Sequence, residues 1–128
     1  MLKKTITFTD FNGEEQKEDF YFNISRAEAI EWDSEHKGGM KAVLERLIAE
    51  KDGKAIYAIF KDLIRRSIGK KSDDGRRFIK TEEIINDFME TDAYSVLLLE
   101  LSQDANAAAA FVKGITPPAP QDHQKPAS

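Results

Sequence analysis

The stretch TITFTDFNGEEQKEDFYFNISRAE, residues 5–28, changes its hydrophobic period partway along. Apolar and polar residues alternate over residues 3–9, with Ile6 and Phe8 on one face, and again over residues 18–24, with Phe20, Phe22 and Ile24 on one face. A period of two is that of a strand with one covered side. Asn12-Gly13 supplies the turn signal between the two runs. Loop length then decides the register. A two-residue loop at Asn12-Gly13 pairs Thr5 with Phe20 and sends the two apolar faces to opposite sides. A loop of three or five residues shifts the pairing by one, puts Ile6 opposite Phe20 and gathers one apolar face. The longer loop is therefore predicted, with Gly13 in the left-handed conformation. A lone hairpin is marginal in water, so this face must cover a further layer.

After Asn23 the period becomes helical. Ser25-Arg26-Ala27-Glu28 fits a capping box, which predicts a helix to about His36. Gly38-Gly39 breaks it. Met40, Val43, Leu44, Leu47 and Ile48 follow at helical spacing and stop near Asp52-Gly53. Ile56, Ile59, Phe60, Leu63, Ile64 and Ile68 form a clearer stripe, with Gly69 as its expected terminator. Residues 70–79, KKSDDGRRFI, are predicted as a polar loop. Thr81 should cap a short helix carrying Ile84, Ile85, Phe88 and Met89, and Thr91 or Asp92 another reaching Leu101. Asp104 should cap a helix containing Ala107–Ala110, ended by Gly114. Four successive alanines bury little surface. They suit either close packing against the Ile56–Ile68 helix or a face for a partner or a second copy. Residues 116–128 hold all four prolines and no large apolar side chain, the composition of a disordered tail. The predicted architecture is one α+β domain over 1–115. It is mostly helical, with a hairpin over about 3–24, five or six helices over 25–114, and a disordered tail over 116–128.

The chemistry-bearing residues exclude more than they propose. Cysteine is absent, so there is no disulfide or thiolate site. GKKS at 69–72 lacks both the upstream glycine and the Ser/Thr after lysine that a phosphate-binding loop needs. Aligning Gly75 with the turn glycine of a calcium loop puts Lys70 at the first ligand and Thr81 where a bidentate glutamate belongs. His36 and His123 have no partners of the kind a triad or metal site requires. Adjacent carboxylates such as Glu82-Glu83 read as helix-terminal charges. No catalytic residue, metal or cofactor is expected. MLKKTITF turns polar at once, and no apolar run is long enough to cross a membrane, so neither signal peptide nor membrane span is expected. Residues 61–80 carry eight bases against three acids, a local charge of +5 that leaves −9 for the rest of a chain of net charge −4. Such a segment suits phosphates or an acidic protein surface, including the Glu14, Glu15, Glu18 and Asp19 hairpin of another copy.

Three segments in order, TDFNGEEQKEDFYFN (9–23), IFKDLIRRSIGKKSDDGRRFIK (59–80) and FMETDAYSVLLLELSQDANAAAAFVKGITP (88–117), resemble the tail assembly chaperones of long-tailed phages and prophages of Gram-positive bacteria. The resemblance implies a non-enzymatic protein of the host bacterial cytoplasm, left out of the finished virion. It would bind the tape-measure protein and help tail-tube subunits assemble around it. It also implies a frameshifted gene pair, of which this chain would be the short product. The major tail protein and the longer frameshift product join the expected partners, with self-association. The readings set against it are a small nucleic-acid-binding protein using residues 61–80 and a structural tail subunit. Partner contacts are expected at Phe20, Phe22, Trp32, Arg76, Arg77, Phe78, Ala107, Ala110 and Phe111. Phe20 and Phe22 are also expected to hold the hairpin to the helices.

Overall fold

The computed structural model describes residues 1–50 and 53–117, apart from the side chains of Lys41, Ile48 and Glu50. The predicted tail beyond Pro117 lies outside the described residues, as do Lys51 and Asp52 at the end of the second predicted helix. Strands β1 (Leu2–Thr9) and β2 (Glu15–Phe22) form the expected antiparallel hairpin. Its loop has five residues, Asp10 to Glu14, and Gly13 takes φ +84°. Even-numbered residues of both strands share one face, as one apolar face demands. The register nonetheless differs from the prediction by two residues: Ile6 lies opposite Glu18, and Phe20 opposite Lys4. Asp10 accounts for the difference. Its carboxylate accepts the backbone N–H groups of Asn12 and Glu14, each at 2.9 Å, and the Gln16 side-chain amide at 2.7 Å. The loop therefore centres on Asn12, one residue earlier than expected. Those bonds, the Gln16 contact foremost, hold the Asp10 carboxyl below its ordinary pKa.

Helix α1 (Arg26–Glu35) opens with the predicted capping box: Ser25 Oγ accepts from Glu28 N, and Glu28 accepts from Ser25 N at 2.9 Å. Helices α2 (Gly39–Glu50) and α3 (Gly53–Ser67) follow. Gly69 does not end α3 as a left-handed terminator. The chain passes directly into β3 (Ile68–Lys71), where Ile68 pairs with Phe22 and Gly69 with Tyr21. Lys70 and Lys71 then pair with β4 (Phe78–Ile79). The segment predicted as a polar loop is thus a second hairpin, which completes an antiparallel sheet in the order β1-β2-β3-β4. Strands of four and two residues, the first ending in two lysines, carry too little alternation to be read. Gly69 is needed for close approach. A Cβ there would stand 2.5 Å from the Phe78 ring and 2.7 Å from the Ile79 carbonyl. Asp73-Asp74-Gly75 turns the hairpin, with Asp74 accepting from Ser72 Oγ at 2.7 Å and Arg76 N at 2.9 Å.

Helices α4 (Glu82–Met89), α5 (Asp92–Gln103) and α6 (Ala105–Ile115) complete the chain. Thr81 and Asp104 cap α4 and α6 through their side chains as predicted. Thr91 precedes α5 without a side-chain cap; its hydroxyl donates instead to the Phe88 carbonyl. Gly114 does not terminate α6, which continues to Ile115. A Cβ on Gly114 would meet Leu2 of β1 at 2.9 Å, so the glycine admits the hairpin. Helix α6 packs mainly against α5, α2 and β1, whereas α3 packs mainly against α2, α5 and β2; α3 is not among the principal neighbours of the alanine helix.

The hairpin is held to the helices through rings. Phe20 and Phe22 meet Phe88 at 4.8 and 5.7 Å between centroids, Phe22 meets Phe111 at 5.4 Å, and Phe88 meets Tyr94 at 6.3 Å. Phe88 touches the most members of this cluster. Phe88→Ala is expected to destabilise the domain by about 3–5 kcal/mol, read as a lower urea midpoint. A second tie is polar. Lys80 Nζ reaches Glu28 Oε1 at 2.7 Å and the Arg66 carbonyl at 2.6 Å, joining α1, α3 and the start of α4. Burial alone would raise the Glu28 pKa. The Lys80 ammonium and the Ser25 amide outweigh it and hold the carboxyl below its ordinary 4.5. A carboxyl depressed by folding contributes stability above its unfolded pKa and loses it as pH falls through the folded one. Between pH 7 and pH 3, Glu28→Gln should therefore show a smaller fall in urea midpoint than the wild type.

Candidate partner-binding groove

Helix α1 is fastened on one side only. Trp32 is buried, its indole N–H donates to Asp62 of α3 at 3.1 Å, and its ring stacks on His36 at 3.7 Å. On the other side Ile30 is 69% exposed, an isoleucine with no core to enter. It faces an open groove of about 1040 Å³ between α1, α2 and α6. Ala29 and Ile30 form the α1 wall, and Met40, Leu44 and Ala49 come from α2. Ala105, Ala108, Ala109 and Val112 form the α6 wall.

The alanines explain why the groove exists. Positions 105, 108, 109 and 112 follow i, i+3, i+4, i+7 and lie on one face of α6. Ala108 is buried, while Ala105 and Ala109 are exposed. Leucine at those sites would project into the space and narrow it; a methyl group leaves it open. The groove has the proportions and apolar lining of a site for a helix or a large apolar ligand. Its charged side chains are Arg26, Asp33, Glu45 and Lys113, and none of them is in an ion pair among the described residues.

The residues expected at a partner surface fall in four separate places. Phe22, Trp32 and Phe111 are enclosed in the core and present no surface. Ala107 is partly buried against that core, and Ala110 is exposed but does not line the groove. Phe20 is half-buried and lines a smaller recess of about 400 Å³ between β2, β3 and α4. Arg76 and Arg77 are exposed at the β3–β4 hairpin, and Phe78 lies half-buried with Lys80 over its ring at 5.8 Å. The groove residues Ile30, Ala105 and Ala109 were missed. The 105/108/109 spacing was visible in the sequence, but a run of alanines does not reveal which of its faces is covered.

The basic segment is partly neutralised by folding. Arg65 pairs with Glu82, Arg66 with Asp62 and Glu35, Arg76 with Asp74, and Lys80 with Glu28. Phe78, the one aromatic between residues 61 and 80, is covered by Lys80 and is not placed to stack on bases. Among the described residues no helix is long and apolar enough to cross a membrane.

The fold that leaves this groove is characteristic in sequence as well. A family model described as phage tail assembly chaperone matches residues 1–127. Comparison with curated proteins and with solved structures gave no match. With the match spanning the hairpin, all six helices and the groove between them, the chain belongs to the phage tail assembly chaperone family.

Proposed function

We propose that this chaperone holds helical segments of the tape-measure protein in the α1–α2–α6 groove, keeping them soluble while tail-tube subunits assemble around them. It would act without catalysis in the cytoplasm of the host bacterium and be left out of the finished particle. The single observation that carries the reading is the groove itself, an apolar channel kept open by alanines and walled on one side by the exposed Ile30. A tape-measure protein is long and must expose apolar helical faces before the tube encloses it. Covering such a face needs many copies of a small domain with one helix-sized trough. The acidic β1–β2 hairpin and the basic β3–β4 hairpin would let neighbouring copies attract each other along that partner. The segment after Ile115 would be the ending peculiar to the short product of a frameshifted gene, with the longer product and the major tail protein as further partners.

Co-expression with the large helical protein encoded just downstream tests the reading. The expected result is a soluble complex with several copies of this chain per partner, measured by light scattering after size exclusion. Ile30→Glu with Ala109→Glu places two charges at exposed positions, so stability should change by no more than about 1 kcal/mol. The same substitutions should leave the partner insoluble. A complex unaffected by them would move the binding surface elsewhere.

A further inference from the structure

The groove is electrically asymmetric along its length. The Ile24 N–H donates to the Ile115 carbonyl at 2.7 Å, so the start of α1 and the end of α6 meet at one joint. Arg26 and Lys113, the two cations lining the groove, both stand beside that joint. Away from it the charge changes sign. Asp33 lies about 10 Å further along α1, from the helical rise of 1.5 Å per residue. Asp33 sits where α2 begins, its carboxylate 3.5 Å from where a Cβ on Gly39 would be. Glu45 adds a carboxylate on the α2 wall. Backbone dipoles do not settle the sign at either end. The N-terminus of α1 meets the C-terminus of α6 at the joint, the C-terminus of α1 meets the N-terminus of α2 beyond it, and the N-terminus of α6 carries the Asp104 carboxylate as its cap. The side-chain charges therefore decide the polarity.

We infer that the groove takes an amphipathic helix in a fixed direction, its acidic end between Arg26 and Lys113 and its basic end beside Asp33. The inference rests on the groove-binding reading above and specifies its occupant: a helix with a face of large aliphatic side chains and with opposite charges at its two ends. The large side chains complement the methyl-lined walls, since Ala29, Ala105 and Ala109 leave room that only a partner's longer side chain fills. A partner with like charges at both ends loses one favourable end contact and gains a repulsive one. A chaperone that reads helix direction would lay successive copies along a long partner in one orientation, an ordering that apolar contact alone does not impose.

Three synthetic helical peptides with the same apolar face, of about 18 residues so that the helix can form, test this. One is acidic toward its C-terminus and basic about seven residues earlier, the spacing of Asp33 from Arg26 along α1; the others are acidic or basic at both places. Binding to the full chain is measured by fluorescence anisotropy at low salt, with Ile30→Glu as the check that binding is in the groove. The expected result is about three- to tenfold tighter binding of the bipolar peptide, a margin that closes at high salt. A spin label at its acidic end should broaden the amide signal of Lys113 more strongly than that of Gly39. Equal affinity for all three, or broadening of both amides alike, would overturn the directional inference and leave the groove reading standing. Failure of all three to bind would remove both.

Discussion

The hairpin cannot stand alone, and the contact that gives it a place is the meeting of Phe20 and Phe22 with Phe88. These rings, with Phe111 and Tyr94, draw strands from the start of the chain onto helices from its end. They contribute more than area, because edge-to-face contacts constrain angle as well as distance. With the hairpin seated, Ile68 and Gly69 can add β3 to its edge, and Leu2 can settle on Gly114. Few contacts therefore define where α6 ends and where α3 turns into a strand.

What remains for function is the side of the molecule that this cluster does not reach. Helix α1 is anchored through Trp32, through its capping box, and through the Lys80–Glu28 contact. All three act on the side of α1 facing α3 or at its first turn. The side facing α6 is left with Ile30 in solvent and a row of methyl groups opposite. An apolar trough bounded by well-anchored helices costs less to complete with a partner helix than a surface that must first be organised. The fold thus leaves uncovered a trough whose walls are already held in place.

Folding also changed the meaning of the charge pattern. The segment from residue 61 to residue 80 is strongly basic in sequence, yet four of its cations face carboxylates brought in from α1, α3, α4 or the adjacent turn. Lys80 becomes a structural bolt between three elements. Linear charge density therefore overstated how much positive surface is free to meet a polyanion.

Signals with short range were legible in the sequence. The capping box at Ser25–Glu28, the caps at Thr81 and Asp104, the left-handed Gly13 and the shared face of the hairpin all follow from interactions within a few residues, which any fold would have to respect. The phage tail assembly chaperone resemblance was legible for the same reason, as ordered local motifs. Tertiary structure alone decided the rest. The register moved by two because the Asp10 side chain chose the loop's centre, and Gly69 and Gly114 serve as points of close approach because Phe78 and Leu2 arrive there from elsewhere. The groove belongs to this second class. Alanines at 105, 108 and 109 can be read as a seam or as a wall, and only the placement of α1 across from them, set by Trp32 and Asp62, made them a wall.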